Sequence, residues 1–251
     1  MNKMKTLIAL AFVCLFAMHV DAQVKKPAAK KTTTTKTTVK KPSTRKTTIA
    51  TKVQEVKIPG TRIKITTDSG VMIIRLYDKT PQHRDNFIKL ANEHFFDSLL
   101  FHRVIQGFMI QGGDPQSKYA QPGQPLGMGD VGYTIPAEFD TSLIHKKGAL
   151  AAARTPNPAK ASSGCQFYIV QGAPVPDQQL TMFEMQKGIK YSPEQRKIYR
   201  TIGGTPFLDM DYTVFGEVES GLDVIDKIAS VPKAPGDRPI GDVRMKIEVI
   251  K

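Results

Sequence analysis

The sequence predicts a mainly β domain, a small antiparallel barrel or sandwich that begins near Arg62. Two observations carry this expectation. Short apolar runs recur from residue 62 to the end of the chain, separated by Gly- and Pro-containing turns, which is the pattern of an antiparallel sheet and not of a βαβ repeat. Only two regular helical patterns accompany them, apart from one helical excursion between Asp177 and Gly204.

The elements follow in order. "RIKITTDSGVMIIRLY" reads as two alternating strands around the turn Asp68-Ser69-Gly70, a hairpin signal. "TPQHRDNFIKLANEHFFD" places Thr80 to cap a helix, Pro81 at its first position, and Phe87, Leu90, Ala91 and His94 on one face. "FHRVIQGFMIQGGD", Phe101 to Asp114, is apolar enough for two strands but is broken by Gly107, Gly112 and Gly113 and carries Arg103 among its apolar members. Burying a guanidinium without a partner is costly, so Arg103 must meet water, a carboxylate or a ligand. "GALAAAR", "CQFYIV", "TVFGEV" and "RMKIEVI" supply further strands, and "GLDVIDKIAS" a second helix. In the excursion at 177–204, Ser192, Pro193 and Gln195 form a capping-box start and Gly203-Gly204 a stop. This segment is either a lid or partner surface, or an inert insertion.

The 251 residues carry a formal net charge of +13, unevenly placed. Residues 23–60 hold eleven Lys/Arg against Glu55 alone, whereas residues 61–251 are nearly balanced. Residues 1–22 combine a short positive start, the apolar run "TLIALAFVCLFAMHV" and a small residue at Ala22, the pattern of a cleaved secretory signal peptide; a retained anchor is the alternative. Residues 23–60 are almost entirely Lys, Thr, Ala, Pro and Val, so they are expected to form a disordered linker. This tail could contact an anionic envelope surface through residues 23–57, or act as a spacer. Export argues against a nucleic-acid partner. The folded domain is expected to span residues 61–251.

Signal cleavage would leave Cys165 as the only cysteine, expected to be a small buried hydrophobe and not a reactive thiol. His83, His94, His102 and His145 have no metal-ligand spacing, and no cofactor or metal is implied. G-x-S-x-G, a cysteine–histidine pair and a phosphate-binding glycine loop are all missing.

Four blocks, in order and spanning essentially all of residues 62–251, carry a resemblance. "FHRVIQGFMIQGGD", "GALAAAR", "SGCQFYI" and "FLDMDYTVFGEV" resemble the signature segments of the cyclophilins, peptidyl-prolyl cis–trans isomerases. The resemblance implies an eight-stranded antiparallel β-barrel closed by two α-helices, here with a helical insertion around 177–204, and proline-containing, unfolded or flexible polypeptides as partners of a monomer. Arg103 matches the family's catalytic arginine, and Phe108, Met109 and Gln111 match the residues that line the proline pocket and bind substrate backbone. Ala153 and Arg154 match the strand that pairs with the peptide. Tyr168 replaces a phenylalanine on the pocket floor, Phe207 replaces the usual tryptophan as a pocket wall, and Leu208 matches. Tyr212 stands where many members have histidine, and His102 matches a structural neighbour of the arginine. The tryptophan's indole N–H contacts cyclosporin in the family, so Phe207 implies weak inhibition by that drug. The implied activity is non-covalent isomerisation of X–Pro bonds during folding of exported proteins, in the periplasm or cell envelope. Two other readings use the same residues: a proline-peptide binding module or holdase with little turnover, and an envelope-binding protein with the isomerase domain as cargo.

Overall fold

In the computed structural model, which describes residues 60–250, the amino-terminal hairpin is formed by β1 (Arg62–Thr67) and β2 (Gly70–Leu76). The expected signal peptide and most of the basic tail lie outside the described residues. Helix α1 (Pro81–Asn92) is followed by β3 (Phe101–Ile105), β4 (Met109–Gly112) and the short β5 (Thr134–Ile135). Then come β6 (Ala149–Ala152), β7 (Ser162–Ser163) and β8 (Phe167–Val170). The expected excursion is α2 (Asp177–Lys187) and α3 (Pro193–Thr201), and the chain ends with β9 (Val214–Ser220), α4 (Leu222–Ala229) and β10 (Lys246–Ile250).

Eight strands form one antiparallel sheet in the order β10-β1-β2-β9-β6-β8-β4-β3. Register shifts at Ile73/Ile74, Phe101/Arg103 and Leu150/Ala151 bend the strands, as extra residues in a ladder do. The sheet curls until its two edges meet: Ser98 N–H donates to Met245 O (2.9 Å), Met245 N–H to Leu99 O (2.8 Å) and Phe101 N–H to Val243 O (2.9 Å). The expected barrel of eight strands is therefore present, with α1 packed against β9 and β10 and α4 against β2, β3 and β4. Strands β5 and β7 form a separate two-stranded sheet.

The interior is built on aromatic rings. Phe87 of α1 lies 4.8 Å from Phe96, 5.3 Å from Phe167 and 5.5 Å from Phe215, centroid to centroid. Each such side chain contributes about 1.5–3 kcal/mol through burial. Period-two alternation sorts β6 and β8 between two cores. Leu150, Ala152, Phe167 and Ile169 point into the barrel, while Ala149, Ala151, Tyr168 and Val170 join Met109 and Val214 on its outside. Both faces of these strands are buried, which is why they read as continuous apolar runs.

Two local details differ from the expectation. Thr80 occupies the cap position of α1, but its side chain makes no capping bond. Glu138, from a distant loop, instead accepts from the backbone N–H groups of Gln82 (3.1 Å) and His83 (3.0 Å) and from His83 Nδ1 (2.7 Å). One carboxylate thus satisfies two of the donors that every helix start leaves open. His94 is not on the helix face: α1 ends at Asn92, and His94 is exposed in the left-handed conformation (φ 55°). The capping box at α3 is as expected, with Ser192 Oγ accepting from Gln195 N–H and Gln195 Oε1 accepting from Ser192 N–H (2.8 Å).

Candidate active site

The antiparallel register builds a row of side chains across the outside of the barrel. Arg103 on β3 lies opposite Gln111 on β4, Gln111 opposite Tyr168 on β8, and Tyr168 opposite Ala151 on β6. Met109 and Ile105 are paired one step further along. Phe101, Val104 and Ile110 face the interior, so the apolar members of "FHRVIQGFMIQGGD" divide between the two sides. The tight passage out of β4 depends on Gly113, whose φ is 91° and where a Cβ would come within 2.2 Å of Cys165 O. Only glycine fits there.

Arg103, Phe108, Met109, Gln111, Ala153, Arg154, Tyr168, Leu208 and Tyr212 line one cleft of about 170 Å³. That is below the ~300–1,000 Å³ of sites for drug-sized ligands and suits a single small ring. Met109 and Tyr168 form its buried floor, and Arg103, Gln111 and Arg154 supply polar groups at its edge. Small residues at 149, 151 and 153 leave room for the larger rings above them. Of the ten side chains singled out from the sequence, nine meet here.

Phe207 does not line this cleft. It is 45% exposed and packs behind Phe108 with the rings tilted by 33° and their centroids 5.7 Å apart. Being on a short helical turn, Pro206–Leu208, it points away from the side taken by Leu208. Ala153 has both main-chain groups engaged: its N–H donates to Gln166 O (2.9 Å) and its carbonyl accepts from Ser163 N–H (2.8 Å). The Arg154 N–H has no partner among the described residues.

The Arg103 side chain is 43% exposed, with Nε 3.9 Å from Asp237 Oδ2 and Nη1 donating weakly to Gln111 Oε1 (3.4 Å). Gln111 is in turn oriented by Gln166, whose Oε1 accepts from Gln111 Nε2 (3.1 Å) while its own Nε2 donates to the carbonyls of Gly127 (3.0 Å) and Gly129 (2.7 Å). This chain fixes which end of the Gln111 amide faces the arginine. Gln166 stands inside the quoted block "SGCQFYI", yet no sequence feature separated it from its strand neighbours. Arg154 lies over the Tyr212 ring, 4.6 Å from its centre, and donates from Nε to Asp211 O (3.0 Å).

Beneath the floor runs a buried polar chain. The Tyr168 hydroxyl is 2.9 Å from His145 Nε2, and His145 Nδ1 is 2.7 Å from Asp209 Oδ1, which also accepts from the His145 N–H (2.8 Å). The second Asp209 oxygen accepts from the hydroxyls of Tyr191 (2.7 Å) and Tyr199 (2.6 Å). With Nδ1 held by the carboxylate, Nε2 is left to pair with the Tyr168 hydroxyl. Burial first, then nearby Tyr212 and Asp209, push the Tyr168 hydroxyl well above its ordinary value. Tyr191 and Tyr199 belong to the excursion, where they pack with Ile144, Val175 and Leu180 in a small core of their own. The excursion is therefore fastened to the pocket floor.

Residues 62–249 match the cyclophilin type peptidyl-prolyl cis-trans isomerase/CLD family, and the chain belongs to it. It is an enzyme of the peptidyl-prolyl cis–trans isomerase class. A Staphylococcus saprophyticus protein named as a peptidyl-prolyl cis–trans isomerase is 34% identical over 202 residues, covering 78% of this chain and 95% of that one. A Streptococcus pyogenes protein named as a bifunctional phosphatase/peptidyl-prolyl cis–trans isomerase is 36% identical over 73% of this chain, which spans 37% of that relative's length. Among solved structures, a Cryptosporidium parvum cyclophilin, also crystallised in the presence of the dipeptide Ala-Pro, shares the fold at a TM-score of 0.57. It is 22% identical, and the match covers 76% of this chain and 98% of that one.

His102 and Cys165 are both buried, 3% exposed each. Burial pushes the Cys165 thiol up to about 11, which disfavours the reactive thiolate. Burial pulls His102 down to about 4, with Asp114 opposing and Arg103 reinforcing that shift. The folded protein thus favours the neutral ring. The stability this contributes is complete above the ordinary histidine value of 6.5 and is lost as pH falls through that value toward 4. Urea unfolding at pH 7 and pH 4.5 should show a loss on acidification to which His102 contributes up to about 3 kcal/mol. His102→Phe should flatten this loss, leaving the part due to His83, which burial also lowers, and to ion-paired carboxylates such as Glu217 and Glu248. An unchanged slope in His102→Phe would contradict the assignment.

Proposed function

We propose that this isomerase holds a prolyl ring in the 170 Å³ cleft and lowers the rotation barrier through Arg103, without a covalent step. The observation that carries the reading is the placement of one half-exposed guanidinium at the edge of an apolar floor made by Met109 and Tyr168. A peptide bond resists rotation by ~18–20 kcal/mol because the nitrogen lone pair is delocalised into the carbonyl. Twisting the bond returns that lone pair to the prolyl nitrogen. A donor aimed at it is then strengthened in the twisted state alone, which is the condition for raising the rate. Arginine suits the task because its charge is permanent and its donors are held in a rigid fork. Phe108, Leu208 and Tyr212 hold the ring from the sides, while Gln111 and the free Arg154 N–H offer hydrogen bonds to the flanking peptide backbone.

The biological setting follows from the amino-terminal segments. The leader at residues 1–22 and the basic tail at 23–60 support an exported isomerase acting on envelope or secreted proteins in the periplasm or cell envelope. Amino-terminal sequencing of the mature protein should find Gln23 first; an intact leader on protein recovered from the cytosol would contradict export.

Arg103→Ala should lower kcat/KM on a short X–Pro peptide by about 100-fold in a protease-coupled assay, a loss of ~2.7 kcal/mol of transition-state stabilisation. Its far-UV circular dichroism and thermal midpoint should match those of the wild type, since the half-exposed side chain makes only a 3.9 Å ion pair and one long hydrogen bond. Retained activity in that variant would rule out the arginine's role.

A further inference from the structure

The aromatic surface does not end at the proline cleft. Phe108 lines the cleft, Phe207 packs behind it at 5.7 Å, and Phe183 of α2 packs on Phe207 at 6.4 Å. Phe183, Gln186 and Lys187 of α2 enclose a second hollow of about 410 Å³ with Phe207, Met210, Asp211 and Lys160. Its rim is positively charged. The Asp211 carboxylate receives the ammonium groups of both Lys160 and Lys187, and its carbonyl receives Arg154 Nε (3.0 Å). Two ammonium groups thus share one carboxylate, with the Arg154 guanidinium on the backbone carbonyl beside them.

This hollow is firmly built. Leu180 anchors α2 in the excursion's own core, and Arg196 of α3 donates to Asp177 Oδ1 (3.0 Å) and Glu184 Oε2 (2.6 Å) of α2. The Asp209 chain secures α3 and the following loop to the barrel. Yet Phe207 remains 45% exposed, an aromatic surface held open beside excess positive charge. The two ring-to-ring steps correspond to about two to four residues of extended chain at ~3.3–3.6 Å each.

We infer that the hollow is a second substrate subsite, which takes an aromatic side chain adjacent to an acidic residue, two to four positions from the isomerising proline. This rests on the reading that the proline occupies the cleft beside Arg103. Phe183 and Phe207 receive the ring, an interaction aromatic pairs favour beyond simple burial, and the positive charge by which Lys160 and Lys187 exceed Asp211, with Arg154 nearby, attracts the carboxylate. The excursion then sets substrate choice for the isomerase.

The test is a set of X–Pro peptides carrying Phe-Glu, or Ala-Lys in its place, at two, three or four residues to either side of the proline. At one of these positions Phe-Glu should raise kcat/KM about fivefold to tenfold. Phe183→Ala should abolish that advantage while keeping the wild-type thermal midpoint. An equal kcat/KM at every position, or an advantage that survives in Phe183→Ala, would overturn the inference, as would a concentration-dependent dimer whose formation removes the preference. A short Ala-Pro peptide without the flanking residues separates the two failures. If the wild type does not turn it over, the cleft reading fails; turnover without a flanking preference counts against the subsite alone.

Discussion

The register of four antiparallel strands is the constraint on which the site depends. Because β4, β8 and β6 pair without a shift, and β3 joins β4 in register from Arg103 onward, Arg103, Gln111, Tyr168 and Ala151 fall on one line across the outer face. A slip of one residue would turn each of them into the barrel and bring Val104, Ile110 and Phe167 out. The buried rings of Phe87, Phe96, Phe101 and Phe167 oppose that slip, so the energy that closes the barrel also aims the arginine. Gln166 adds the last element of order by fixing the Gln111 amide against two loop carbonyls.

Asp209 holds a comparable position on the other side of the floor. Its carboxylate, almost fully buried, accepts four hydrogen bonds from His145, Tyr191 and Tyr199. A buried charge so well supplied with donors is stable in place, but removal of any donor leaves it or His145 short of a partner at a cost of about 1–3 kcal/mol. The same chain accounts for the tyrosine on the pocket floor. Tyr168 presents an apolar ring to the cleft and hands its hydroxyl to His145, which satisfies a group that would otherwise be costly to bury.

Local pattern carried much of this into the sequence. The β1–β2 hairpin, the helix beginning at Pro81, the Ser192 capping box and the strand blocks depend on residues a few positions apart, and each is where its spacing placed it. Interactions between distant segments were not legible. Thr80 looks like a cap, but Glu138, 58 residues further on, does the capping. His94 continues a helical spacing past the end of the helix. The union of nine side chains in one cleft followed from the family resemblance, since periodicity alone would have assigned Phe108, Met109 and Leu208 to core. Phe207 shows the limit of position-by-position transfer: its ring lies between Phe108 and Phe183 of α2 and outside the cleft, which no local pattern announces.

The central claim is that Arg103 favours the twisted amide over the bound planar forms. Exchange NMR on an X–Pro peptide, titrated with wild type and Arg103→Ala, reads the dissociation constant and the isomerisation rate of the bound peptide separately. The account predicts that the bound-state rate falls at least about thirtyfold, ~2 kcal/mol, while the dissociation constant changes by less than about threefold. A dissociation constant that rises as much as the rate falls would contradict it, since the arginine would then act by holding the peptide and not by easing its rotation.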